Sequence, residues 1–432
     1  MDYLPSLIIF SFLIYLISVR RIKSFVIPIW VTMLWGGVIM VLIGFVEQDK
    51  IWSTINFEVL AFLIGMFTIV AGMEKSGLLN YIALKIATRG SRKSLISSTI
   101  MGMGLLSSFL VNDTIALMGT PIVLRLAALS GIRERILLMA LAYGVTIGSV
   151  PTPMGNPQNM LIASNKLMDT PLITFLIYLF PPTLLSFYAS YKVFIRIYKK
   201  ELDSLPFKLP KYTKEEIIKD KALAYKSIGA LILVVILFIA NDVSFLVYKR
   251  KIASEGFSAL LAGLILFTLT DKRLDLLKRV DWSTILLFIG MFLFVEGLWN
   301  SGLGILLFNS MPSFSGPLGE ILKIFLLSLL ASQVMSNVPF TQLALKYFEN
   351  SWNNYNNPQV YLTTLAASST LAGNLTLLGA ASNLIIIEAA ESRGYKAFKP
   401  LEFTKVGVII TFLCSLIYIS YLYTLYLLLK VR

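Results

Sequence analysis

Residues Val111-Asn112-Asp113-Thr114 set a carboxamide and a carboxylate side by side in the middle of an apolar run over residues 95–129. An ionisable group at such a place costs roughly 3 kcal/mol on insertion scales, so a chain keeps one where it faces a cavity, binds an ion or meets a partner. A counterpart follows 225 residues later, at Ser336-Asn337-Val338-Pro339, again inside an apolar run. Polar interruptions at matching places in two halves of a chain point to a binding site at the interface of two repeats in a membrane transporter. A plain loop between two ordinary helices is the competing reading of Asn112-Asp113, and the flanking charges argue against it.

The 432 residues are 56% hydrophobic and 14% charged, with a mean hydropathy of +0.77. That composition leaves too little polar surface for a water-soluble fold. Several runs are long enough for a bilayer core of about 30 Å. The expectation is an all-α polytopic protein, multi-pass in the cell membrane, with the lipid bilayer as its main partner. The net charge of +14 lies mostly in loops between apolar runs. There it sets orientation and is no sign of nucleic-acid binding. Cys414 is the single cysteine and histidine is absent. Intramolecular disulfides, Cys-cluster metal sites, haem ligation and His-based acid–base work are thereby excluded. No cofactor is implied. The first apolar run lacks a basic start and a small-residue cleavage site, so it reads as a span and not as a signal peptide.

Charge places the runs. Spans are expected near 3–19, 25–46 and 57–73, with Arg20, Arg21 and Lys23 in a cytoplasmic loop and the N-terminus outside. Basic residues then flank the run 95–129 on both sides: Lys85, Arg89, Arg92 and Lys93 before it, Arg133 and Arg135 after it. Both flanks belong in the cytoplasm, so the run starts and ends on one side. Two full spans need about 40 apolar residues and a turn, and about 35 are present. A re-entrant hairpin over 95–129 with its tip at Asn112-Asp113 fits, provided protein or a water-filled cavity surrounds the tip. Residues 136–164 then cross outward, but Gly148-Ser149-Val150-Pro151-Thr152-Pro153-Met154-Gly155-Asn156-Pro157-Gln158-Asn159 cannot be one helix. This is a broken helix with free backbone groups at its break. A span near 172–194 and a polar cytoplasmic linker over 196–226 follow, the linker carrying a short surface helix near 214–224.

The second half repeats the first. Ile64-Gly65-Met66-Phe67 returns as Ile289-Gly290-Met291-Phe292, and Ser76-Gly77-Leu78 as Ser301-Gly302-Leu303. Asn112 returns as Asn337 and Gly148 as Gly373, all at an offset of 225; Gly155 and Asn159 return as Gly379 and Asn383 at 224. Orientation inverts between the copies. The first repeat is assigned to residues 1–195. The second is assigned to 227–432, with a hairpin over 318–347 and a broken helix over 360–390. The count is ten spans and two re-entrant hairpins, with the C-terminus outside. The loop Lys249-Arg250-Lys251 falls outside on this count, against the charge rule.

Two tips and two breaks supply the candidate site. Half-helix N-termini offer amides to an anion, while unwound carbonyls and Asn or Ser oxygens suit a hard cation such as sodium. From the first repeat come Asn112, Asp113, Thr114, Gly155, Asn156 and Asn159. From the second come Ser336, Asn337, Asn374, Gly379, Ser382 and Asn383. Sodium is expected at Asn112, Asn159, Ser336, Asn337 and Asn383. Asp113 has Val338 as its counterpart. A carboxylate at that depth with no cation opposite holds a cation or takes up a proton, because desolvation penalises the charged form. It is the candidate coupling residue. Glu74, Glu296 and Glu388 read as interfacial or paired acids, and Arg125 and Lys346 as snorkelling cations.

The motifs Asn112-Asp113-Thr114 with Thr120-Pro121-Ile122, Gly155-Asn156-Pro157-Gln158-Asn159, and Leu371-Ala372-Gly373-Asn374-Leu375-Thr376 with Gly379 to Asn383 resemble those of the ion-transporter superfamily. The nearest branch groups arsenite-efflux permeases, NhaD-type sodium/proton antiporters, anion permeases and citrate-transporter-like domains. The resemblance covers nearly the whole chain. It implies inverted repeats, an elevator motion and a homodimer. The dicarboxylate branch carries Ser-Asn-Thr at both tips; here Val338 replaces one Thr and Asp113 adds an acid that would repel a dianion.

The expected activity is secondary active transport of an inorganic anion, oxyanion or arsenite, coupled to protons or sodium. A sodium/proton antiporter and a sodium-coupled carboxylate transporter are the alternatives. An enzyme is not expected: an intramembrane aspartyl protease needs two facing Asp residues, and a metalloenzyme would want His. No nucleotide-binding loop is present, which leaves an ATPase only as a separate partner.

Overall fold

The computed structural model describes residues 5, 7–12, 21–22, 25–26, 28–87, 91–203, 217–310, 315–351 and 357–430. Among them the chain is helical apart from a two-residue antiparallel ribbon, Arg21–Ile22 with Phe25–Val26. The repeat register is visible at atomic detail. Helix Phe57–Lys75 is capped by Asn56, whose side chain accepts from Val59 N at 3.2 Å. Its counterpart Trp282–Asn300 is capped by Asp281, which accepts from Thr284 N at 3.1 Å. Both helices have 19 residues. Both end in a Ser-Gly pair whose glycine has positive φ, 82° at Gly77 and 86° at Gly302. In each the serine hydroxyl donates to the carbonyl three residues back at 2.9 Å. Such a left-handed exit is open to glycine without steric penalty.

The two repeats do not pack as separate bodies. Short helix Ile29–Leu42 of the first half lies along Trp282–Asn300 of the second, and short helix Glu255–Leu269 of the second lies along Phe57–Lys75 of the first. Repeat-related glycines make both crossings tight. A Cβ on Gly290 would sit 2.5 Å from Leu34 N, and one on Gly65 would sit 2.2 Å from Ala259 O. Lipid gives no hydrophobic push between helices, so close backbone approach at small residues carries the association.

Two faces can be told apart by what is bonded there. On one, Lys75 pairs with Asp275 at 2.5 Å and Arg279 with Glu74 at 3.0 Å, while Arg135 pairs with Glu402 at 3.2 Å. The Lys75 ammonium holds the Asp275 carboxyl below the usual carboxylate range. Arg92 Nε donates to Ser130 O at 2.8 Å, closing the mouth of the first hairpin on this same face. The described basic loops around Lys75, Arg92, Arg135 and Arg279, all expected in the cytoplasm, meet here. At the opposite face Gly256 N donates to Glu58 Oε1 at 3.4 Å, and Asn165 meets Glu349 at the mouth of the second hairpin at 2.9 Å. Helix Phe57–Lys75 therefore runs toward the basic face and Trp282–Asn300 away from it. The repeats are inverted, as expected.

Seven described helices are long and apolar enough to cross a membrane, and two of them, Asn112–Ser130 and Gly316–Met335, are hairpin arms. The expected span 25–46 is shorter than hydropathy indicates: the helix is Ile29–Leu42, begun by Pro28 and followed by Gly44 at φ 81°. Its 14 residues reach only about 21 Å. Most of the expected span 3–19 lies outside the described residues, although Phe10 stacks on Phe294 at 6.3 Å. Residues 204–216 of the linker also lie outside them. The linker's expected surface helix is, from Lys221 on, the start of the long helix Lys221–Tyr248. The loop at 249–251 departs less from the charge rule than its sequence indicates. Lys251 is paired at 3.0 Å with Glu255, whose side chain is 3% exposed, so one of its three cations is neutralised on site.

Replacing Gly290 by Val should destabilise the fold by more than the ~1–3 kcal/mol typical of overpacking, because backbone must move. Gly229→Val, with nothing within 4 Å of its Cβ position, should leave stability unchanged. Thermal unfolding of the two purified variants checks the pair.

Candidate functional site

The first broken helix runs Glu134–Gly148, unwinds, and resumes at Pro157–Ala163. Three prolines in seven residues, Pro151, Pro153 and Pro157, withhold amides and force the break. Asparagines hold it open. Asn156 caps the second half by accepting from Asn159 N at 2.8 Å, and its Nδ2 donates to Ser149 O at 3.2 Å. Asn159 Nδ2 donates to the carbonyls of Ser149, Val150 and Thr152 at 2.9, 3.1 and 2.9 Å. The second broken helix repeats the device. Helix Pro358–Leu371 ends in short turns and resumes as Ala381–Glu391. Asn383 Nδ2 donates to Gly373 O at 2.7 Å and Thr376 O at 3.4 Å, as Asn159 does to the carbonyls of its own break.

Each hairpin tip docks on the break of its own repeat. Asn112 N donates to Gly155 O at 2.9 Å. Ser107 Oγ donates to Val145 O at 2.8 Å and Ser108 Oγ to Gly148 O at 2.6 Å, while Thr152 bonds back to Ser108 O. In the second hairpin Gln333 takes over, with Nε2 on Ala372 O at 2.9 Å and Oε1 accepting from Thr376 Oγ1 at 2.7 Å. The tip residue Ser336 has φ 69° and ψ 162°. That region is open essentially to glycine alone, so the tip stores about 1–3 kcal/mol of strain. The two breaks are also tied together: Asn156 Nδ2 and Gln158 Nε2 reach Thr370 Oγ1 at 3.2 and 3.4 Å.

Both tips and both breaks line one cavity of about 100 Å³. Asn112, Asp113, Ser336 and Asn337 face it, as do Pro157 and Gln158 of one break and Ala380 and Ala381 of the other. Helices Asn112–Ser130, Asn337–Ser351 and Ala381–Glu391 all begin at its wall and bring the positive ends of their dipoles to it. Among the described residues Asp113 is the one charged side chain in the lining, with no Lys or Arg facing it there. Around this space the carboxamide oxygens of Asn112, Asn337, Asn159 and Asn383 are buried without a hydrogen-bond partner. These are two repeat-related pairs. Buried acceptors are almost always satisfied, so four unpartnered carboxamide oxygens recurring in register single out this region. Carboxamide and carbonyl oxygens with no competing cation fit a hard monovalent ion.

Of the expected site residues, Asn112, Asp113, Ser336 and Asn337 line the cavity, while Gly155, Asn156, Asn159, Gly379 and Asn383 shape the breaks behind it. Thr114, Asn374 and Ser382 do not line it, although Ser382 Oγ and both amide atoms of Asn374 are buried and unpartnered. Gln158, Thr284, Gln333 and Thr370 went unassigned in the sequence. Gln158 stood inside a motif already quoted, whereas Thr284 and Gln333 sit in apolar helices with no local signal. The expectation of paired acids holds for Glu74 and Glu296. Lys346 does not snorkel: it pairs with Glu296 at 2.5 Å, with both side chains about one-fifth exposed. That pair ties the second hairpin to helix Trp282–Asn300. Phe308 stacks on Tyr347 of the same hairpin at 4.4 Å. Toward the basic face the cavity continues into a vestibule of about 210 Å³ that shares Ile29, Thr284, Leu287, Ala381 and Leu384 and adds Ser283 and Glu388.

Inverted repeats and hairpins docked on broken helices around one cavity define a polytopic membrane transporter. The chain belongs to the citrate transporter (CitMHS) family, whose profile matches residues 12–351. It is 26% identical over 407 residues to a 46 kDa membrane protein of Mycobacterium leprae, covering 91% of this chain and 92% of that one. It is also 26% identical to the P protein of Sus scrofa, covering 82% of this chain and 51% of the relative. The solved YdaH transporter of Alcanivorax borkumensis, described as having an unusual topology, superposes with a TM-score of 0.56 over 97% of both chains at 12% identity. That likeness concerns the fold. The superfamily resemblance and the multi-pass membrane location read from the motifs are borne out.

Ser336→Gly should raise thermal stability by about 1 kcal/mol, since glycine relieves the positive-φ strain. Ser336→Ala should not raise it. Unfolding midpoints of the two variants, measured side by side, decide whether the tip is strained.

Proposed function

We propose that this chain is a secondary transporter moving a small inorganic oxyanion or arsenite, coupled to sodium or protons. The observation that carries the reading is the pairing of orphaned carboxamide oxygens, Asn112 with Asn337 and Asn159 with Asn383, around one cavity. Such oxygens serve a cation, and a bound cation offsets Asp113 so that the helix N-termini can receive an anion. A polycarboxylate such as citrate is disfavoured, because the cavity is small, lacks Lys and Arg, and presents Asp113. The vestibule beside the cavity supports alternating exposure, with the hairpins and broken helices moving against the paired helices Ile29–Leu42 and Trp282–Asn300.

Sodium/proton antiport is the second reading, and Asp113 favours it. A carboxylate facing a cavity without a cationic partner can trade a proton for sodium with no further substrate. Proteoliposome flux under imposed sodium and pH gradients, screened over arsenite, phosphate, sulfate, silicate and citrate, separates the readings.

Asp113→Asn should abolish the dependence of flux on pH or sodium while leaving the protein folded, because the amide is isosteric. Asn159→Ala or Asn383→Ala should raise the half-saturating sodium concentration by about tenfold, the worth of one charge-assisted contact. Unchanged pH and sodium dependence in Asp113→Asn would make that residue structural.

A further inference from the structure

The two breaks are held differently. In the first repeat the clamp is internal: Asn156 Nδ2 bonds Ser149 O, and Asn156 Oδ1 caps the resumed helix. The position equivalent to Asn156 in the second repeat is Ala380, at an offset of 224. Alanine has no group to bond the break, and helix Ala381–Glu391 starts without a side-chain cap. The missing carboxamide is supplied from the hairpin. Gln333 stands at the repeat equivalent of Ser108, an offset of 225, but reaches further than serine can. Its amide spans the unwound segment, donating to Ala372 O on one side and accepting from Thr376 Oγ1 on the other. Between those two points lies Gly373, whose carbonyl is bonded by Asn383.

We infer that Gln333 is the positioning residue of the second-repeat cation site, so that the geometry of this site depends on the second hairpin being docked. The inference rests on the proposed sodium coupling. In the first repeat Asn156 holds the Asn159 carbonyl set from within the break, in addition to the bonds the break makes with Ser108 of its hairpin. In the second, undocking the hairpin removes the only side chain among the described residues that bridges Ala372 and Thr376. A cation bound at Asn383 then favours the docked hairpin, and a docked hairpin favours the cation, since coupling between two such events is reciprocal. This gives the two repeats unequal roles although their backbones match. Gln333 need not touch the ion.

The test needs no transported substrate. Thermal unfolding of the purified full-length chain is titrated with sodium chloride at constant ionic strength, with choline chloride as balance. Ligand that binds the folded state stabilises it by RT ln(1 + [L]/Kd), so the half-effective concentration is the Kd fitted from that curve. Gln333→Met, which keeps volume and loses both bonds, should raise the half-effective sodium concentration by about tenfold. Thr376→Val, which removes one bond and leaves Gln333 in place, should shift it in the same direction by less. Ser108→Ala should shift it by less than Gln333→Met, because Asn156 still holds the first break. A Gln333→Met midpoint lowered equally at every sodium concentration, with the half-effective value unchanged, would overturn the inference and leave Gln333 a packing residue. If the wild-type chain responds alike to sodium and choline, the sodium reading itself falls; that arm involves no variant, so the two failures are distinguishable.

Discussion

A backbone that unwinds inside a membrane must find partners for amides and carbonyls that water cannot reach, and here asparagine amides meet that demand. Asn159 bonds three carbonyls of the first break and Asn383 bonds two of the second. Each amide nitrogen is spent on the backbone, which leaves each amide oxygen turned away from it and unpartnered. The same side chain that makes the break tolerable therefore creates the acceptor that a cation needs. Leaving such groups unsatisfied in hydrocarbon would cost several kcal/mol apiece. Hairpin docking and the cavity both follow from where those breaks are fixed.

Much of this was legible in the sequence because the chemistry of a break is local. Proline and glycine stop helices wherever they stand, and Asn112 and Asn159 recur as Asn337 and Asn383, at offsets of 225 and 224, whatever surrounds them. The hairpin mouth was legible from Arg92 and Arg133, since charge must return to its own side of the membrane. What stayed hidden was non-local. Apolar helix faces carry no address, so nothing in residues 29–42 names helix Trp282–Asn300 as the partner. Only the glycines at Gly65 and Gly290 hinted at close approach. Hydropathy also overran the ends of Ile29–Leu42, because the residues beyond Pro28 and Gly44 are as apolar as the helix. Lys346 looked like an interfacial cation until Glu296, 50 residues away, was found against it.

The exact register makes the departures from symmetry informative. Val338 stands opposite Asp113, Ala380 opposite Asn156 and Gln333 opposite Ser108. One repeat thus carries the acid and a self-contained clamp, and the other borrows its clamp from a hairpin. The two halves are therefore chemically unequal, with an acid at one hairpin tip and a hairpin-held break in the other half. Membership of the citrate transporter family fixes the architecture, while the cavity lining, with Asp113 and no basic residue, governs what that architecture can hold.

The account depends most on the orphaned oxygens belonging to an ion. Structures of the purified chain determined by electron microscopy in sodium chloride and in choline chloride test this directly. The account predicts density in contact with the Asn159 and Asn383 carboxamide oxygens in sodium and its loss in choline, with the breaks otherwise unchanged. Ordered water or a rotated protein amide satisfying those oxygens equally in both salts would contradict it.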